Sequence, residues 1–237
     1  MADFKTHFNV AAVGAGLAAT TLLVAGLAQP DELLLFFSLG IVGGLLPDLD
    51  LDHSTPLEIV FNLVGVLLSF LLIFHLSGRF AVLELALFWL LCFLFIKVVI
   101  YRLFTALTEH RGVFHSVPGA GLAGLLTSAA LFHLAGVTPV VAWIGGLFLA
   151  LGYLTHLVLD EIYSVNLFGG HTKKSLGSAF KFFSGDVVPT ILLYVALAAA
   201  FLIAPEAEAL LAILAAPETY AGMENRFLPK VWFEGLR

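Results

Sequence analysis

The sequence predicts an all-α fold: a polytopic, integral membrane helical bundle with about seven transmembrane spans, one of them short or broken. Three observations lead there. Of the 237 residues 60% are apolar and only 12% are charged, about half the charge of a soluble domain. The mean hydropathy is +1.03. Several segments run to roughly 20 apolar residues in succession, the length a helix needs to cross ~30 Å of hydrocarbon. Such a composition excludes a soluble globular enzyme, a disordered chain and a disulfide-stapled secreted domain.

Spans are expected at 8–28, 33–47, 57–77, 80–101, 114–136, 139–162 and 187–204. The first follows Lys5 and ends at Ala25-Gly26-Leu27-Ala28, which loosely resembles a signal-peptide cleavage site. Its apolar run exceeds the ~7–15 residues of a signal peptide, so it reads as a retained helix. The second contains Gly40, Gly43 and Gly44 and runs into Pro47, and is expected to be tilted or broken. Gly119 to Gly124 in the fifth span match a GxGxxG spacing, but they follow no predicted strand and lie in an apolar run. Small residues there, as at Gly40 and Gly44, let helices approach closely.

Orientation follows from where cations fall in short loops. With the N-terminus inside, Lys5, Arg102, Arg111, Lys173, Lys174 and Lys181 are cytoplasmic, and Arg79 lies in an outside loop. Residues 1–204 then form the transmembrane domain that carries the candidate site. Residues 205–237 form a tail, with an interfacial helix from Glu206 to Ala216.

Charge and cysteine content narrow the chemistry further. A net charge of −6 with 11 Lys and Arg offers no broad basic surface, so nucleic acid is not an expected partner. The one cysteine, Cys92, lies in an apolar run, which leaves neither a disulfide framework nor a Cys-based zinc site. A metal must be held by His and carboxylates.

Ionisable side chains at membrane depth are costly unless paired, hydrated or ion-bound. Three clusters of them stand out. In Pro47-Asp48-Leu49-Asp50-Leu51-Asp52-His53-Ser54, carboxylates recur at every second residue, and in an extended segment they share a face and can converge on a cation. The plain alternative is a solvated loop with Asp side chains and Ser54 starting the next helix ahead of Pro56. In Glu109-His110-Arg111-Gly112-Val113-Phe114-His115-Ser116, His110 and His115 can meet at one metal if Gly112 turns the chain, and Arg111 can hold an anionic oxygen. The alternative is a basic loop with Ser116 capping a helix. His156 and Asp160, four apart, share one helical face and can act as two ligands or as a ligand and its orienting partner. The alternative is a structural His–Asp hydrogen bond between helices.

His7 precedes the first span at the same face. His75 and His133 read as interfacial, and His171 as solvated. The span count puts His7, the Asp48 group, His110 with His115, and His156 with Asp160 all at cytoplasmic ends, so they can share one site.

In this order, Lys5-Thr6-His7, Leu46-Pro47-Asp48-Leu49-Asp50 with Ser54, His110-Arg111-Gly112 with His115-Ser116, and Gly152-Tyr153-Leu154-Thr155-His156 with Asp160 resemble the YdjM-like family. Its members are bacterial and archaeal integral membrane proteins described as predicted membrane-bound metal-dependent hydrolases. The resemblance implies a site of His7, Asp48, Asp50, His110, His115, His156 and Asp160, and an inner-membrane location. The His-x-x-x-Asp pair is also similar to zinc sites of helical phosphoesterases.

The leading expectation is a metal-dependent hydrolase at the cytoplasmic membrane face. It would use one or two divalent ions, zinc or manganese, to cleave a phosphoester or other ester of a lipid or amphipathic substrate. Arg111 would stabilise developing negative charge, and Asp50 or Asp52 would serve as general base or hold a ligand in place. The alternatives are a cation- or proton-coupled transporter and a non-catalytic bundle stapled by metal. The oligomeric state is open.

Overall fold

A computed structural model describes residues 3–50, 55–76, 78–102, 115–164, 181–183 and 187–220. Helices account for nearly all of them, and the β-pairing among the described residues is an isolated bridge between Ser116 and Lys181.

Helix α1, Phe4–Ala25, starts at Asp3, whose carboxylate accepts the Thr6 N–H at 2.9 Å. It ends at Gly26, whose φ of 73° is a left-handed conformation that favours glycine. Its buried residues, His7, Ala11, Ala15 and Ala19, recur every fourth position and make one stripe. That stripe meets the glycines of α2, Leu33–Leu45. A Cβ added at Gly44 would land on Ala11, and one at Gly40 would collide with Ala15.

On its other side α2 crosses α6, Pro139–Ser164, with comparable closeness. A Cβ at Gly43 would strike the Leu149 carbonyl, and one at Gly152 the Gly40 carbonyl. Small residues on three helices thus bring backbones together, the device that substitutes for hydrophobic driving force within a bilayer. Pro47 lacks an N–H for α-helical continuation, and the chain passes into a 3-10 turn over Leu46–Asp50.

Helices α3, Thr55–Leu76, and α4, Val82–Leu94, form a hairpin, and α4 continues through a π-helical turn at Phe95–Ile100. Ring contacts zip the hairpin, among them Phe70 with Trp89 at 5.8 Å and Phe61 with Tyr101 at 5.3 Å. Helix α5, Val117–His133, is capped by Ser116, whose hydroxyl accepts the Gly119 N–H at 3.1 Å. Helices α7, Val187–Ile203, and α8, Glu208–Ala215, meet at an 84° bend. The corner is tied by Trp143 Nε1, which donates to the Pro205 carbonyl at 2.9 Å, and by a 2.8 Å bond from His133 Nε2 to the Ile203 carbonyl. His133, expected to be interfacial, therefore fastens α5 to α7.

Two apolar clusters fill the bundle. Ala19, Ala28, Phe36, Ile144, Phe148 and Leu210 pack in one half. Ala120, Tyr153 and Leu157 pack in the other, beside Leu46 and Leu154.

Each of the seven expected spans corresponds to a helix, but fewer have spanning length. Phe4–Ala25, Val82–Ile100 and Pro139–Tyr163 are long and apolar enough to cross a membrane, and the bent α7–α8 pair makes up to four. Among the described residues, Leu33–Asp48, Phe61–Leu76 and Val117–His133 are shorter apolar helices. For α2 the cause is local, since 13 residues rise only about 20 Å before Pro47 stops the helix.

Candidate metal centre

Four separate parts of the chain deliver side chains to one end of the bundle. The first turn of α1 supplies His7, the 3-10 turn after α2 supplies Asp48, the residue before the α5 cap supplies His115, and the last turns of α6 supply His156 and Asp160. His7 and His156 are 1% exposed and Asp160 is 7% exposed. The Asp48 and His115 side chains are half-buried, at 24% and 19% exposure, with the His115 Nε2 atom itself buried, so the cluster is accessible at Asp48.

The donor atoms converge. His7 Nε2 lies 3.3 Å from Asp160 Oδ1 and 4.0 Å from Asp48 Oδ2. His156 Nε2 lies 3.4 Å from Asp48 Oδ1 and 3.6 Å from Asp160 Oδ2. His115 Nε2 is 3.9 Å from Asp160 Oδ2. Two overlapping triads, His7–His156–Asp160 and Asp48–His115–His156, each bring one ligand atom per residue within 4.8 Å of the others.

The helix crossing sets the chemistry of His156. Because Gly44 and Gly152 let α2 and α6 touch, His156 Nδ1 reaches the Gly44 carbonyl at 2.9 Å. A carbonyl only accepts, so Nδ1 carries the hydrogen and, in the neutral ring, Nε2 carries the lone pair. That lone pair is buried without a hydrogen-bond partner among the described residues and faces two carboxylates. Both nitrogens of His7 are likewise buried without one. Lone pairs opposed to carboxylate oxygens repel, so the cluster calls for positive charge, carried either by a proton on an imidazole or by a cation at its centre.

A divalent cation fits this demand. For bonds of about 2.0–2.2 Å to N and O, tetrahedral coordination places neighbouring donors roughly 3.4 Å apart; three of the imidazole–carboxylate distances are 3.3–3.6 Å and the other two 3.9 and 4.0 Å. Imidazole and carboxylate together, without thiolate, are a donor set that accommodates a divalent ion. Outside the helices, burial and then the neighbouring His156 hold His115 below the ordinary histidine value, against the opposing pull of Asp160 and Asp48. Neutral imidazole is the form that ligates a metal.

Of the residues expected at the site, His7, Asp48, His115, His156 and Asp160 come together. Asp50 follows in the same 3-10 turn, but its side chain lies outside the described residues, as do His110, Arg111 and Asp52. The sequence did not single out the Gly44 carbonyl. Its signal was the small-residue pattern Gly40, Gly43, Gly44 facing Gly152, which marks a close crossing but not the hydrogen bond it permits.

Apolar helices gathered around a buried His and Asp cluster define a helical membrane protein with a possible metal-binding centre. The family described as YdjM inner membrane protein matches residues 1–225, and the chain belongs to it. No curated protein and no solved structure matches the chain.

Proposed function

We propose that this inner membrane protein is a metal-dependent hydrolase acting on a phosphoester or other ester of a lipid or amphipathic molecule at the cytoplasmic face. One observation carries the reading: a buried His and Asp cluster that a cation fits is reached from one side at Asp48, whose side chain is 24% exposed. A purely structural metal staple has a closed sphere. A translocation path needs polar groups continuing through the bundle, whereas Ala19, Phe36, Ile144, Phe148 and Leu210 fill the other half of the core with apolar packing.

His7, Asp48, His115, His156 and Asp160 hold one or two divalent ions, with Asp50 and His110 as further ligands. When bound, a divalent ion supplies Lewis acidity and water activation near neutral pH. The Gly44 carbonyl keeps the His156 ring in its ligating tautomer. Arg111 steadies negative charge gathering on the substrate, and Asp50 or Asp52 takes the proton. Seven spans with the N-terminus inside account for the common end of the site. His7 opens α1 and Asp48 closes α2, so the two helices run in opposite directions, and the α3–α4 hairpin returns the chain to His115.

The test is metal content and hydrolysis of phospholipids and phosphoesters by detergent-purified protein, beside a His156→Ala, Asp160→Ala double variant. Bound zinc or manganese and a hydrolysed substrate, both lost in the variant, are expected. Hydrolysis retained by a correctly folded double variant refutes the assignment.

A further inference from the structure

The rings of His7 and His156 are stacked, with centroids 3.7 Å apart and planes 15° from parallel. An imidazole lone pair lies in the ring plane, so an ion held by it belongs near that plane. Nearly parallel planes at this spacing share no such position. An ion midway between them would stand roughly 1.8 Å out of each plane, and with a bond of about 2.0–2.1 Å it would leave both planes by about 60°. Nor can His156 link two ions through its two nitrogens, because Nδ1 is engaged by the Gly44 carbonyl.

The carboxylates follow the same division. Asp160 turns Oδ1 to His7 and Oδ2 to His156, at 3.3 and 3.6 Å. Asp48 turns Oδ2 to His7 and Oδ1 to His156, at 4.0 and 3.4 Å. Each presents one oxygen to each imidazole, the disposition of a bridging carboxylate. His115 Nε2 lies 3.9 Å from Asp160 Oδ2, on the His156 side. The ring spacing matches the separation of about 3.5–4 Å between the ions of two-metal centres.

The geometry points to a two-ion centre: one divalent ion on His7, a second on His156 and His115, and both spanned by Asp48 and Asp160. The inference rests on the metal reading of this cluster and deepens it. A paired centre clamps the attacking and leaving oxygens of an in-line displacement, a geometry suited to phosphoesters among the esters considered above.

The experiment uses the full chain in mild detergent, stripped and then reloaded with manganese or with zinc, and it needs no substrate. Elemental mass spectrometry is expected to give two equivalents per chain, and the manganese form to show the low-temperature electron paramagnetic resonance spectrum of a spin-coupled pair. His7→Ala is expected to retain one equivalent and to convert the coupled spectrum to that of an isolated ion, with circular dichroism confirming the fold. One equivalent with an uncoupled spectrum in the wild type overturns the two-ion centre and leaves the hydrolase reading standing. No bound metal after reloading with either ion overturns both. The wild-type spectrum decides the matter even if His7→Ala fails to fold.

Discussion

Replacing Gly152 by alanine tests whether the close crossing of α2 and α6 sets the metal site. The new Cβ would lie 2.8 Å from the Gly44 nitrogen and 2.9 Å from the Gly40 carbonyl carbon, and closer still to the Gly40 oxygen. Ordinary carbon contacts begin near 3.5 Å, so these two contacts alone require the helices to part by about 0.6–0.7 Å, and the tighter one with the Gly40 oxygen requires more. The same displacement stretches the His156 Nδ1 to Gly44 bond from 2.9 Å to about 3.5 Å, beyond useful hydrogen-bond length. Overpacking of this kind costs about 1–3 kcal/mol, and losing the partner that orients a metal-bound histidine weakens metal affinity about 10–100-fold. Chelator competition and thermal unfolding on the same detergent sample measure both effects. Affinity within about twofold of wild type together with an unchanged Tm refutes the reasoning, because it would mean that the crossing has room to spare.

Three other outcomes are expected. Ser116→Ala removes the bond to the Gly119 N–H at 3.1 Å and should lower stability by about 0.5–2 kcal/mol, with Ser116→Asn restoring most of it; denaturation midpoints read the difference. In metal-stripped protein, burial holds His115 below its ordinary value of 6.5. The unfolded chain therefore takes up the proton first, and the stability linked to neutral His115 is complete above about pH 6.5 and lost as pH falls through its lower folded value. Tm followed from pH 8 to 5 should decline less steeply in His115→Gln, and equal slopes would refute the assignment. Trp143→Phe removes the bond to the Pro205 carbonyl and should cost about 0.5–1.5 kcal/mol while leaving metal content at the wild-type value; loss of metal there would show that the two ends of the bundle are coupled.

Helical segments were legible because apolar runs and their breakers are local signals: Pro47 and Ser116, both read from the sequence, mark helix boundaries in the structure, whereas Asp3 and Gly26 bound α1 at limits shifted toward the N-terminus from the expected span of 8–28. The gathering of His7, Asp48, His115, His156 and Asp160 was expected from the number of apolar segments between them, and the structure brings the five together, although among the described residues only three helices, or up to four spans with the bent pair, have spanning length. Spanning length was not legible. Hydropathy extends 33–47 and 114–136 into flanking turns, whereas Pro47 and the Ser116 cap set the actual helix limits. The stacking of His7 on His156 and the bond from His156 to Gly44 were also invisible, because they depend on how three helices rotate about their axes. That rotation is decided by glycine and alanine stripes whose partners lie far away in the chain.

The bond between His156 and Gly44 joins residues 112 positions apart. A chain threaded into the bilayer from its N-terminus therefore installs α1 and α2 well before their partner on α6 is synthesised. Through that interval the polar ends carrying His7 and Asp48 must stay wetted at the surface, since hydrocarbon offers them neither a counter-charge nor a donor. Arrival of α6 brings His156 and Asp160 to the cluster and completes it. On the proposed metal reading, loading falls late in biogenesis, and cells starved of the ion during synthesis should accumulate protein that has been inserted but not yet consolidated.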